Sequence, residues 1–277
     1  MANPKAVTNG THELQERYSA LVLAKLRQTS IFEALFNRRY EGDPTAGAVK
    51  IPVRDTEVAV GDYDIVAGGD LSTSTTRYLT LPIDKNKFVN ELIDGFEAAA
   101  VPDNLVADRL DSAGYSMGKS LDDDLITLLT TAGNYTAATS TATDVYEMIV
   151  DEVQNLKKAH VAVSEMWLAV SNDFYGKLLK NEHFIQATAQ GDNVIANGLV
   201  GKIAGVNVYE TDSANMSEDF ILGNNVFAHL VSEWMVPVAI NDLSDGKHIG
   251  ASAVQGRRVY GDMISRPTTI IVKPAGV

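Results

Sequence analysis

Apolar positions change their spacing several times along this chain, and each change predicts a different element. Leu14, Tyr18, Leu21, Val22, Leu26, Ile31, Leu35 and Phe36 recur at intervals of three to five residues, the stripe of a helical arm over residues 11–40. Gly42, Asp43, Pro44 and Gly47 break it with turn chemistry. Val49, Ile51 and Val53 then alternate with Lys50, Pro52 and Arg54, and Leu79, Leu81 and Ile83 alternate in the same way. A period of two on either side of a Gly-, Thr-, Ser- and Asp-rich stretch predicts a long two-stranded hairpin with an extended tip.

Pro102-Asp103-Asn104 is a helix start signal. Leu105, Val106, Leu110, Ala113, Met117, Leu121, Leu125, Leu128 and Leu129 follow with helical spacing. They predict an elongated spine over residues 103–131, roughly 40 Å long at 1.5 Å per residue. Gly114 and Gly118 share one face of it, which lowers helix propensity but permits close approach by a neighbour.

After a Thr/Ala-rich linker, Asp144 and Glu147 stand at capping-box spacing before Val145, Ile149, Val153 and Leu156. Met166–Val170 is an apolar strand running into a helix start at Ser171, with the helix continuing through Leu178 and Leu179. Further strand signals lie at residues 206–209, 220–222, 226–231, 257–263 and 268–273. Helices and strands mixed without strict alternation give an α+β fold class.

The chain has 277 residues, enough for two cores, and no cysteine, which removes disulfides and thiolate chemistry. No run of about 18 apolar residues predicts a membrane span, and the polar start lacks a signal-peptide core. The net charge of −13 argues against a broad nucleic-acid-coating face. Residues 1–50 nevertheless carry seven basic groups against five acidic ones. Asp55, Glu57, Asp62, Asp64 and Asp70 crowd the hairpin tip with no basic residue among them. Two readings of the tip stand: a solvated loop, or a flap that lies on another subunit.

Candidate chemistry is sparse. Gly201-Lys202 invites a phosphate-loop reading, but the motif needs a glycine where Ala196 stands and a hydroxyl where Ile203 stands. The glycines at 198, 201 and 205 form no dinucleotide fingerprint and read as turns beside a strand. No G-x-S-x-G elbow occurs. His12, His160, His183, His229 and His248 lie at no metal-ligand spacing and read as surface or packing residues. Asp122-Asp123-Asp124 point about 100° apart on a helix and fail to converge on one ion; they read as a solvated face or a subunit contact. No catalytic, cofactor or metal residue is predicted.

The order of elements nevertheless resembles a known family. The step from Trp167 to Tyr175, the stretch Gly201-Lys202-Ile203-Ala204-Gly205-Val206-Asn207-Val208, Gly256-Arg257-Arg258-Val259-Tyr260-Gly261 and the closing 268–273 strand carry the resemblance. Together they resemble the major capsid proteins of tailed bacteriophages with the Hong Kong 97 fold. The resemblance implies an N-terminal arm at 1–47, an extended loop at 48–84 and a peripheral domain at 85–134. It further implies an axial domain at 135–244 and C-terminal strands at 245–277 returning to the peripheral domain. Implied partners are other copies of the chain in hexamers and pentamers, a separate scaffolding protein or a cleaved precursor segment, a portal, a decoration protein, and packaged DNA held by weak non-specific contact. Implied localisation is the virion capsid, assembled in the host cytoplasm. Family members that cross-link use a loop lysine, and none lies between Lys50 and Lys85, so non-covalent contacts are expected to brace the shell. The candidate inter-subunit residues are the five tip acids together with Arg257 and Arg258. The alternatives are an encapsulin-like cellular compartment and an α+β ligand-binding protein or enzyme.

Overall fold

The computed structural model describes residues 27, 30–39, 47–53, 58–66, 68–69, 71, 73, 76–95, 105–181, 199–243 and 246–275. The arm's first apolar positions, from Leu14 to Leu26, lie outside them, as does Gly198. The described part of the arm holds one short helix, α1 (Phe32–Leu35). The hairpin follows as β1 (Ala48–Val53) and β2 (Arg77–Pro82), antiparallel with Ala48 opposite Pro82. Ile51 and Leu81 are buried against Val231, with Met263 packed beside them. At Gly261 a Cβ would collide with the Pro82 carbonyl, so glycine is what lets the hairpin base sit this close.

The remaining strands form two sheets joined by one helix. The smaller sheet has the order β3-β10-β9. Its strands are β3 (Lys85–Ile93), β10 (Ser252–Ile264) and β9 (Ala228–Asp242), paired antiparallel. The larger, six-stranded sheet has the order β4-β11-β8-β5-β7-β6. It contains β4 (Thr136–Ala137), β5 (Met166–Ser171), β6 (Leu199–Ile203), β7 (Val206–Thr211), β8 (Glu218–Asn224) and β11 (Ile271–Pro274).

The spine helix α2 (Leu105–Thr130) serves both sheets. Its first half packs Val106, Leu110 and Ala113 on Val89, Ile93 and Val254 of the smaller sheet. Its second half packs Leu121, Leu125, Ile126 and Leu129 on Trp167, Ala169, Ile221 and Val272 of the larger one. The opposite face of the larger sheet, including Met166, Leu168 and Val170, is covered by α3 (Val145–Lys158) and α4 (Asn172–Leu179). Both helices start where their caps demand. Asp144 accepts the Tyr146 N–H at 2.8 Å, and Ser171 accepts the Phe174 N–H at 3.4 Å. The β6–β7 turn at Ala204 (φ 51°) and Gly205 (φ 87°) lies in the left-handed region at both positions, the type I′ pattern of a two-residue hairpin.

Several expectations change. β10 pairs with β3, but β11 enters the six-stranded sheet, so the two closing strands serve different sheets. β9, placed by sequence in the axial segment, runs for 15 residues and pairs with β10. β3 was not expected as a strand at all. The three consecutive aspartates do not form a solvated face, since each has a partner within its own subunit. Asp122 is fully buried and accepts the Phe32 N–H at 2.8 Å, capping α1 from another element. Asp123 receives Ser213 Oγ at 3.3 Å, and Asp124 receives Tyr260 OH at 2.6 Å with Lys87 Nζ 3.4 Å away. Burial holds the Asp122 carboxyl up at about 6 despite the Phe32 hydrogen bond.

Candidate assembly surfaces

The arm is anchored between the two sheets. Ile31, Phe32, Leu35 and Phe36 are buried, and Phe32 meets the Trp167 ring edge-on at 6.2 Å between centroids. Asn37 then lies alongside the start of β9: its N–H donates to the Ala228 carbonyl at 2.7 Å, and its carbonyl accepts the Leu230 N–H at 3.0 Å. His229, in the same stretch, is buried and sits 3.0 Å from Ser265 Oγ. Burial lowers its imidazole to about 4.

Arg257 and Arg258 are adjacent in sequence and face opposite ways. Arg258 is 5% exposed. Its guanidinium forms an ion pair with Glu33 of α1, donates to Ser232 Oγ at 2.9 Å and stacks 5.3 Å from the Trp234 ring. It therefore clasps the arm within its own subunit. Arg257 is exposed on the other face of β10, where its Nε donates to Asn86 Oδ1 at 3.0 Å.

That outer face is unusual. On β3 the side turned towards α2 mixes apolar and charged residues: Val89 and Ile93 pack on the helix, Lys87 approaches Asp124, and Glu91 pairs with Arg109 at 3.2 Å. Nearby, Lys85 binds the buried Asp262 at 2.8 Å, and Asp262 is raised by burial against the opposing pull of Lys85. The residues turned away from α2 include Phe88, 73% exposed, and Leu92, 46% exposed. Val236 of β9, opposite Arg257, adds to the same face. An amide row crosses all three strands, from Asn241 to Gln255 at 3.1 Å and from Gln255 to Asn90 at 3.3 Å. Phe88, Asn90, Val236, Gln255 and Arg257 surround a depression of about 230 Å³ there.

The second exposed surface is the hairpin tip. Val58, Val60, Tyr63, Ile65, Val66 and Leu71 are all exposed, far more apolar surface than a scattered surface residue represents. Asp62 and Asp64 lie among them, while Asp55, Glu57 and Asp70 lie outside the described residues. Asp64 shapes the apex: its Oδ1 accepts the Val66 N–H at 2.6 Å, and Gly68 N–H returns to its carbonyl at 2.9 Å. Sequence reasoning found the acids of this tip. It missed Phe88 and Val236 on the sheet, which come to one face only through the pairing of β3, β10 and β9.

Among the described residues no group of His, Cys, Asp and Glu stands ready to hold a metal ion. No described helix is long and apolar enough to cross a membrane. Comparison with known proteins supplies the family. The model of a phage capsid protein family matches residues 96–272, well over half of the chain. The chain belongs to the phage capsid protein family. No curated protein matches it significantly. Solved capsid structures share its fold along nearly the whole length. The Mycobacterium phage Che8 structure has a TM-score of 0.72 at 22% identity, covering 94% of this chain and 96% of that one. The capsid of cyanophage P-SCSP1u gives 0.69 at 14% identity, with 93% and 91% covered. The mature capsid of bacteriophage PhiM1 gives 0.68 at 16% identity, with 95% and 92% covered. The fold is thus α+β of the Hong Kong 97 type, and the protein is a phage capsid protein. The family match selects this over a cellular compartment shell, and the family is a structural one.

Proposed function

We propose that the subunit assembles into hexamers and pentamers of a head enclosing double-stranded DNA, each subunit holding its neighbour through the hairpin. The observation that carries this reading is the tip itself, whose Val60, Ile65, Val66 and Leu71 are almost wholly exposed among the described residues. The tip acids Asp55, Glu57, Asp62, Asp64 and Asp70 meet basic side chains of the neighbour, and Arg257 is the candidate, since Arg258 is engaged by Glu33. Residues 1–47 serve as the arm, 48–84 as the extended loop, and the smaller and larger sheets as peripheral and axial units. A scaffolding protein and a portal are the further partners, with non-covalent contacts or a decoration protein bracing the shell. DNA is held by weak non-specific contact, in keeping with the net charge of −13. Assembly takes place in the host cytoplasm.

Electron microscopy of the purified recombinant protein tests this. Uniform shells or capsomer rings are expected, and a small monodisperse particle at all concentrations counts against it. Neutralising all five tip acids should impair shell formation and leave the subunit folded by circular dichroism.

A further inference from the structure

We infer that Arg38, Arg39 and Arg266 form one cationic track that takes the phosphate backbone of double-stranded DNA. The inference rests on the DNA-enclosing reading above and names the surface through which an acidic subunit touches its cargo.

The three arginines come from distant parts of the chain and meet around one residue. Val226 belongs to two adjoining depressions. The first, of about 270 Å³, has Phe36, Asn37, Arg38, Arg39 and Asn225 in its lining. The second, of about 190 Å³, has Ile51, Phe227, His229, Ser265 and Arg266. Among the described residues no carboxylate lines either one. In a chain with 36 acidic groups against 23 basic ones, this stretch is a local reversal of sign. The field near the surface, rather than the net charge, decides where a polyanion can approach.

The cations are held in place by bonds other than those they offer a ligand. Asn37 donates its side-chain amide to the Val226 carbonyl at 3.0 Å and accepts the Arg39 N–H at 2.9 Å. One residue thus fixes the backbone of the arginine pair to the rim between the depressions. On the far side, the Arg266 carbonyl accepts the Thr269 hydroxyl at 2.7 Å and the Thr269 N–H at 3.1 Å. The Arg266 guanidinium lies 5.3 Å over the Phe227 ring. The Asn225 N–H donates to the Glu165 carbonyl at 3.0 Å, which fixes the loop that carries the Asn225 amide. Groups ordered in advance lose little freedom on binding. All three arginines are exposed. Glu33 reaches Arg38 at 3.5 Å, but the buried Arg258 engages the same carboxylate, so Arg38 is neutralised only in part.

The chemistry of the track selects phosphate. A guanidinium presents a planar fork that pairs bidentately with phosphate oxygens and gives up its hydration readily. Three of them on an open surface match an anion repeated along a strand. Such contacts carry no sequence information, as a shell that must accept every part of a genome requires.

The test measures how binding responds to salt. Full-length protein, kept dilute enough to remain unassembled by light scattering, is titrated into fluorescein-labelled duplex DNA of mixed sequence and followed by anisotropy. Three phosphate contacts give a slope of about −2.7 in log affinity against log salt concentration. Arg38→Gln, Arg39→Gln and Arg266→Gln should each reduce the magnitude of that slope by about one. The triple variant should bind about tenfold more weakly, or worse, at about 50 mM salt. Lys158→Gln, exposed at the end of α3, should change neither slope nor affinity, and circular dichroism should report the same fold throughout. Wild-type protein that does not bind the duplex, an unchanged slope in the triple variant, or an equal loss in Lys158→Gln would each overturn the inference. So would a triple variant that binds DNA normally but forms no particles, since the arginines would then serve a neighbouring copy. Wild-type protein that shows the expected salt dependence yet forms no particles would keep the track and remove the shell-building reading instead.

Discussion

β5 and β3 are strands of one molecule built on opposite plans. Every residue from Met166 to Val170 is buried, with α2 against one side of β5 and α3 and α4 against the other. β3 has α2 on one side only, turns Lys87 and Glu91 towards it, and leaves Phe88 in water. The six-stranded sheet completes its burial inside one chain. The three-stranded sheet leaves Phe88, Leu92 and Val236 exposed beside Asn86, Asn90 and Arg257. Substitutions on the two sheets should therefore separate subunit stability from particle yield.

The largest effect on the subunit belongs to the inner sheet. Trp167 packs between Phe32 and Gly223, where a Cβ would strike the indole ring. Trp167→Ala should cost about 3–5 kcal/mol, read as a lowered urea midpoint by circular dichroism.

Next comes Asp122, which joins the arm to the spine. Its carboxyl is raised from 3.8 to about 6, chiefly by burial. The folded state therefore binds a proton more readily than the unfolded chain does. That contribution is fully present below pH 4 and is lost as pH rises through about 6. His229 runs the other way: lowered from 6.5 to about 4, its contribution is present above pH 6.5 and lost as pH falls through about 4. The two slopes oppose each other between about pH 4 and 6. Asp122→Asn keeps the acceptor for Phe32 and removes the proton. Relative to wild type it should lose about 2 kcal/mol on going from pH 6 to pH 4, measured as the change in unfolding free energy across that range.

A smaller gain is expected at the β6–β7 turn. Ala204 holds φ at 51°, where asparagine is favoured, and Ala204→Asn should raise stability by about 0.5–1 kcal/mol. The smallest effect sharpens the contrast. Phe88→Ser should leave the unfolding free energy within about 0.5 kcal/mol of wild type while particle yield collapses; an equal loss in both would erase the distinction between the sheets.

The inner sheet was legible in sequence for the same reason that it is stable. Met166–Val170, Phe220–Leu222 and the capped helices at Asp144 and Ser171 follow the rules that link local pattern to burial. β3 was not legible, because Lys85, Lys87 and Glu91 are satisfied by groups far away in sequence, on α2 and β10. The same distance hid the ion pair of Glu33 with Arg258, whose partners are brought together only by the fold. At the candidate surface, the acids of the tip stood out by composition. The outer face of the smaller sheet did not, since Phe88, Val236 and Arg257 meet on one face only once β9 and β10 have paired.

Asp122, Asp123 and Asp124 leave the spine about 100° apart and fasten, in turn, the arm at Phe32, the loop between β7 and β8 at Ser213 and the smaller sheet at Tyr260. A rod pinned at one point can spin about its long axis; one pinned on three sides at a single level has no such freedom. Torque delivered to this helix by a neighbour in the shell must therefore bend it or move both sheets and the arm together.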